Sequence, residues 1–152
     1  MRFKTVNEIL DWTADFHGRL AVLFDAAAEE HERQRIRMLL DYIADHETRV
    51  RYSLENFEVD GADRLLATWF DKAPEIELPE IPENLSALLE AGRIDAIVEY
   101  VVAFHDQMID IYTNLRDQAN NESIEAVFDS LAEIEHNEKI KLVRDAQLFK
   151  DV

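Results

Sequence analysis

The 152-residue chain is 47% hydrophobic, which is enough to bury the core of one domain, and its three Gly and three Pro favour long helices. The absence of Cys excludes disulfides, thiolate catalysis and sulfur-ligated metal sites. A net charge of −17 argues against nucleic acid and membrane surfaces as partners and favours cations, although a solubilising coat also explains it.

The first half of the chain predicts two long amphipathic helices. The first spans about residues 6–29 and places His17 on its inward row, among apolar residues. The second spans about residues 33–57 and places Glu47 inward in the same way. A charged or titratable group on each core-facing row is unusual, because burying an unpaired charge is costly.

A different composition follows at residues 58–93, which we interpret as a long crossover. It carries Trp69 and Phe70, all three Pro, and a predicted short helix at 85–91 that Gly92 ends. A connection of this length is what the chain needs to return along a helix of roughly 35 to 40 Å. The crossover is too apolar for a disordered linker.

The second half predicts two more long helices, at about residues 94–118 and 123–149. The first carries His105 on its inward row and the second carries Glu135 and Glu138. Two long helices, a crossover and two long helices predict one all-α domain over residues 1–152, a four-helix bundle with one long crossover between helices 2 and 3.

The two halves are related to each other. Sliding the sequence by 88 positions places His17 on His105 and Glu47 on Glu135 without a gap, and it also matches several core-facing apolar and aromatic residues. We interpret this as an internal duplication, which implies a pseudo-twofold axis between the halves.

The core-facing ionisable residues define the candidate site. They lie near the middle of their helices, so they converge at one level of an antiparallel bundle, and they are His17, Glu47, His105, Glu135 and Glu138. No Lys or Arg occupies the same rows. Two imidazolium groups balance two carboxylates but not a third, so we predict one or two bound metal ions. Imidazole and carboxylate without sulfur suit iron, manganese or zinc better than calcium or magnesium.

With these residues in place, the chain resembles the ferritin-like superfamily and, within it, the rubrerythrin-like branch. The stretches FHDQMIDIYTNL and VFDSLAEIEHNEKIKL look like the second helix pair of that branch. Superfamily members bind two irons through one Glu on each of two helices and a Glu-x-x-His on each of the other two. Here histidines replace the two lone Glu residues, and Val50 and Glu138 stand where the two motif histidines are expected.

The resemblance implies a non-haem iron or manganese protein with one or two ions, of the oxidase or peroxide-reductase kind, that forms a homodimer or higher homo-oligomer. A bundle that has lost its metal and acts as an interaction or regulatory module is the alternative. The sequence contains no glycine-rich phosphate loop, so no nucleotide is expected. With no signal peptide and no stretch of about 18 apolar residues, a cytoplasmic protein is expected.

A competing register remains open on the fourth long helix. Glu133 and His136 form a literal Glu-x-x-His, with His46 as the matching residue of the second helix. Tyr112 lies two turns beyond His105 and is read either as a core aromatic or as a residue that hydrogen-bonds a metal ligand.

Overall fold

A computed structural model describes residues 5–57, 76–77, 79–90 and 92–150 of the chain. Across these residues the structure is all-helical. The helices are α1 (Val6–Glu30), α2 (Gln34–Glu55), α3 (Ser86–Glu90), α4 (Ile94–Asp117) and α5 (Glu122–Lys150). The four predicted long helices are confirmed, and each observed end lies within two residues of the predicted one.

Side chains at the helix starts explain two of these boundaries. The Thr5 hydroxyl accepts a hydrogen bond from the Glu8 amide and caps α1. The Asn121 side-chain oxygen accepts one from the Ile124 amide at the start of α5. Such caps satisfy backbone N–H groups that have no partner inside the helix.

The predicted crossover of residues 58–93 lies mostly outside the described residues, including the aromatic pair Trp69 and Phe70. Its described part contains α3, which is close to the predicted short helix. In the part of the chain that the structure describes, no helix has a segment both long and apolar enough to cross a bilayer.

The long helices pack in pairs around a shared interior. α1 packs on α2 and α4 packs on α5, so the chain forms two helical hairpins, and α2 also contacts α5. Core residues that the slide by 88 relates are buried alike: Leu40 and Phe128 are fully buried, as are Ile43 and Leu131. Burial of each such side chain contributes about 1.5 to 3 kcal/mol to folding.

Gly92 ends α3 with a left-handed backbone conformation. Its φ is +58°, and its amide donates to the Leu89 carbonyl oxygen at 3.0 Å. Replacing Gly92 with Ala is expected to lower the free energy of unfolding by about 1 to 2 kcal/mol, because a Cβ is strained in this conformation. Urea denaturation measures the difference.

Gly18 provides the matched control for Gly92. An added Cβ would overlap an exposed arginine side chain that has to move aside at both positions, Arg51 for Gly18 and Arg33 for Gly92, but Gly18 does not have a positive φ. Gly18→Ala should therefore stay within about 1 kcal/mol of the parent. Equal losses in the two variants would contradict the backbone explanation.

Candidate metal centre

Four titratable side chains, one from each long helix, meet in the interior. They are His17 of α1, Glu47 of α2, His105 of α4 and Glu135 of α5, and all are fully buried. Each lies on the row of its helix that also carries the apolar core residues, so the helical repeat that buries the core also aims these groups inward. The structure thus brings together four of the five residues predicted to form the site.

The four side chains form a closed ring of hydrogen bonds. His17 donates from Nδ1 to Glu47 Oε2 at 2.6 Å and from Nε2 to Glu135 Oε1 at 2.6 Å. His105 donates from Nδ1 to Glu135 Oε2 at 2.7 Å and from Nε2 to Glu47 Oε1 at 2.8 Å. Ionised carboxylates only accept, so this pattern assigns protons to both nitrogens of each imidazole. We call these four residues the His–Glu ring.

The His–Glu ring has an internal twofold relation. Both Nδ1 bonds join two helices of the same hairpin, over a separation of 30 residues in each case. Both Nε2 bonds join one hairpin to the other. The residues exchanged by this symmetry are the pairs that the slide by 88 matches, which supports the predicted duplication.

The electrostatics of the ring keep all four groups charged. Burial lowers the pKa of His17, but the negative charges of Glu135 and Glu47 and the bonds to them raise it to about 9. The pKa of His105 is likewise well above its ordinary value, since Glu47 and Glu135 outweigh desolvation.

The carboxylates respond in the opposite sense. Burial raises the pKa of Glu135, but the two imidazolium groups lower it to about 2. The pKa of Glu47 also falls well below its ordinary value, because His105 and His17 together outweigh the effect of burial. At neutral pH the ring therefore holds two positive and two negative charges.

Glu138, the fifth residue of the predicted set, lies beside the ring and not in it. Its side chain is 14% exposed, it accepts a hydrogen bond from Lys141, and its Oε2 lies 3.8 Å from His46 Nδ1. Three residues along an α-helix correspond to about 300°, so Glu138 is rotated by roughly 60° from Glu135. Because the third carboxylate lies outside the ring, the two imidazolium and two carboxylate groups of the ring balance each other.

His46 lies against the ring and was predicted only within the competing register. It is buried, its ring contacts the His105 ring edge-on at a centroid distance of 5.8 Å, and its Nε2 has no hydrogen-bond partner among the described residues. Burial lowers its pKa, so the imidazole is neutral. One sequence signal indicated its orientation: the slide by 88 matches His46 with the apolar Ile134.

The other residues of the competing register do not reach the site. Glu133 and His136 are both exposed on α5. Glu133 precedes Glu135 by two residues, which turns it about 200° away from the interior. The literal Glu-x-x-His of this chain is therefore a surface feature.

Tyr112 is fully buried near the ring, and its hydroxyl has no well-formed hydrogen bond within the described residues. Burial and the charge of Glu135 raise its pKa well above the ordinary value, so the hydroxyl stays protonated.

The Thr13 side chain interacts with the Tyr112 hydroxyl, but this interaction lowers the pKa of Tyr112 only in part and is not a well-aligned hydrogen bond. Tyr112→Phe is therefore expected to raise the free energy of unfolding of metal-free protein by about 1 kcal/mol, because it removes a buried hydroxyl without a well-formed hydrogen bond. Chemical denaturation after chelator treatment provides the measurement. Tyr52→Phe, at an exposed position, is the control and should change nothing measurable. A loss of stability in Tyr112→Phe would reveal a partner for the hydroxyl.

The donor atoms around the ring fit a transition metal. Two triads have ligand atoms that all lie within 4.8 Å of one another: His17, His105 and Glu135, and His46, Glu47 and His105. Imidazole nitrogen with carboxylate oxygen is the donor set that iron, manganese and zinc accept. His46 Nε2 is buried and has no hydrogen-bond partner among the described residues, so it offers a lone pair when the imidazole carries its proton on Nδ1. Metal would compete with the ring protons, because ligating imidazoles must be deprotonated.

Comparisons of the chain with protein-family models, with curated proteins and with solved structures find no match.

Proposed function

We propose that the protein is a ferritin-like four-helix bundle, with residues 58–93 as its crossover, that binds one or two iron or manganese ions at the His–Glu ring. The observation that carries this proposal is the convergence of four fully buried His and Glu side chains from four helices, next to the unpartnered His46 Nε2. Buried His and Glu side chains can act together as metal ligands. Stability alone does not require them, because apolar packing would stabilise the interior equally well.

The residues that would hold metal are those of the ring together with His46. A bound iron or manganese ion would supply redox chemistry of the oxidase or peroxide-reductase kind. The chain itself would orient the ligands and exclude water from them. The ring side chains have no exposed surface, and Phe16 packs edge-on against His17. Val50 is buried where the ferritin pattern expects a histidine, so any site here has fewer ligands on that side.

Metal analysis tests this proposal. Protein purified from cells supplemented with iron and manganese is expected to contain about one to two equivalents of metal per chain. His46→Phe should lower metal affinity at least roughly tenfold while leaving the ring hydrogen bonds intact. His136→Ala, at an exposed position, is the matched control and should retain full metal content.

Two outcomes would contradict the proposal. One is less than roughly a tenth of an equivalent of metal in the parent protein. The other is metal content that is unchanged both in His46→Phe and in His105→Ala. An anomalous-scattering map measured above and below the iron edge would locate the ion directly.

A metal-free bundle that acts as an interaction or regulatory module is the second candidate. The closed ring favours it, since each of its nitrogens and oxygens has a partner and its charges cancel without a cation. On this view a variant with all four ring residues replaced by Leu keeps its melting temperature, because apolar packing replaces the whole buried ion cluster and leaves no ring atom without a partner. A large fall in melting temperature accompanied by metal loss supports the metal protein instead.

A further inference from the structure

A basic cavity lies at the end of the molecule where α2 and α4 begin and α5 ends. Its volume is about 490 Å³, and its charged lining consists of Arg33, Arg35, Arg93, Lys150 and Asp95. The whole chain has 33 acidic and 16 basic residues. A cavity lined by four basic residues therefore has the opposite sign of charge to the protein as a whole.

Most of the positive charge in this cavity is uncompensated. Lys150 forms an ion pair with Asp95, which removes one charge of each sign. Arg33, Arg35 and Arg93 have no carboxylate within ion-pair distance in the described ranges. Among the described residues that line the cavity, three guanidinium groups thus leave an excess of three positive charges.

The Arg33 side chain packs directly on the chain at Gly92. A Cβ added at Gly92 would lie 2.9 Å from Arg33 Nη1, so the guanidinium lies close against the backbone at this glycine. The buried Ile36 and the half-buried Ile94 supply an apolar part of the lining. The cavity therefore combines several cationic side chains with an apolar surface.

The helix ends add to the positive potential. Arg33 and Arg93 are the N-cap residues of α2 and α4, and neither helix has a side-chain cap. The first N–H groups of both helices consequently remain available as donors beside the arginines.

We propose that this cavity binds a phosphate group, carried either by inorganic phosphate or by a phosphate monoester. Guanidinium groups bind phosphate and carboxylate oxygens in a forked geometry, but one arginine already satisfies both oxygens of a carboxylate. Three guanidinium groups match the larger charge and the additional oxygens of a phosphate. An adjacent cavity shares Arg33 but is lined by Glu30, Glu32 and Glu90, so the anion belongs on the basic side of Arg33.

Titration calorimetry with inorganic phosphate and with methyl phosphate tests the proposal, using full-length protein in low-salt buffer after chelator treatment so that bound metal does not contribute. Saturable binding of inorganic phosphate is expected. Arg33→Gln combined with Arg93→Gln should weaken it about tenfold or more, since each variant removes charge-assisted hydrogen bonds. Both residues are exposed, so the fold should be retained, and thermal melting verifies this.

The control is Arg19→Gln combined with Arg37→Gln, which makes the same charge change at exposed positions outside the cavity. It should leave the phosphate affinity within about twofold of the parent. Methyl phosphate binding as tightly as phosphate assigns the site to esters, and rejection of methyl phosphate assigns it to the free ion. No saturable phosphate binding, equal affinity for acetate, or equal losses in the two double variants would overturn the proposal.

Discussion

Replacing Glu135 with Gln is expected to lower the free energy of unfolding of the metal-free protein by about 3 to 5 kcal/mol, the usual effect of breaking a buried ion pair on one side only. The substitution preserves shape but removes a negative charge that both imidazolium groups contact, at 2.6 Å from His17 and 2.7 Å from His105. One positive charge then remains buried and unbalanced. Urea denaturation in the presence of chelator measures the loss.

Glu133→Gln on the same helix is the control for this prediction. Glu133 is exposed, so its replacement should change the free energy of unfolding by no more than about 0.5 kcal/mol. If Glu135→Gln were as mild as Glu133→Gln, the ring would not hold two imidazolium and two carboxylate groups. If the large loss appeared only in metal-loaded protein, the ring would matter as a ligand set rather than as an ion cluster.

The stability of the metal-free protein is also expected to fall as the pH rises from about 6.5 to 9. The pKa of His17 is 6.5 in its ordinary state and about 9 in the fold, so its contribution is complete below pH 6.5 and is lost as the pH passes 9. Each imidazolium that the folded chain retains and the unfolded chain releases lowers stability by about 1.4 kcal/mol per pH unit in this window. His105 acts in the same direction because its pKa is also raised.

The acid side has a separate origin. The pKa of Glu135 is lowered from 4.5 to about 2, so its contribution is complete above pH 4.5 and disappears as the pH falls towards 2. His46 has a lowered pKa, so below pH 6.5 the unfolded chain binds a proton that the folded His46 refuses, and stability falls there too. The acid loss therefore comes from Glu135 of the ring together with His46, whereas the alkaline loss comes from the ring histidines.

A series of urea denaturations between pH 5 and 9.5 provides the test, with chelator present throughout. The comparison variant replaces all four ring residues with Leu, which should fold because apolar side chains often substitute for buried ion clusters. Its stability should not change over the alkaline window. A parent protein with equally flat stability there would show that its histidines are neutral in the fold.

Helical periodicity and the slide by 88 were sufficient to predict the four long helices and the four ring residues. His17 and His105 interrupt otherwise apolar rows, and a polar group in such a row is a strong sign of a partner inside. Glu138 lies beside the ring because an α-helix turns it by roughly 60° from Glu135, and a seven-residue repeat does not separate these two directions.

His46 shows the opposite limit of sequence reasoning. Its neighbour Glu47 occupies the central row, and a residue one position away reaches the interior only if a gap between two particular helices admits it. The position of His46 depends on how α2 packs against α5. There the His46 ring stacks on the Tyr42 ring, and its Nδ1 lies 3.8 Å from Glu138 Oε2. Rows along a single helix do not contain this information. Metal binding and oligomeric state also remain predictions, because both depend on other molecules: a metal ion in the first case and a second chain in the other.

The division of bonds within the ring makes the two hairpins interdependent. Taken alone, α1 with α2 satisfies one nitrogen of His17 and one oxygen of Glu47, and leaves the other of each without a partner. In the hairpin of α4 and α5, one nitrogen of His105 and one oxygen of Glu135 are left without a partner in the same way. Each hairpin therefore supplies the hydrogen-bond partners that the other lacks. Two copies of either hairpin would likewise supply all the donors and acceptors of such a ring. The centre of the molecule therefore has the hydrogen-bonding pattern of a symmetric dimer of hairpins, although here a single chain contains both hairpins.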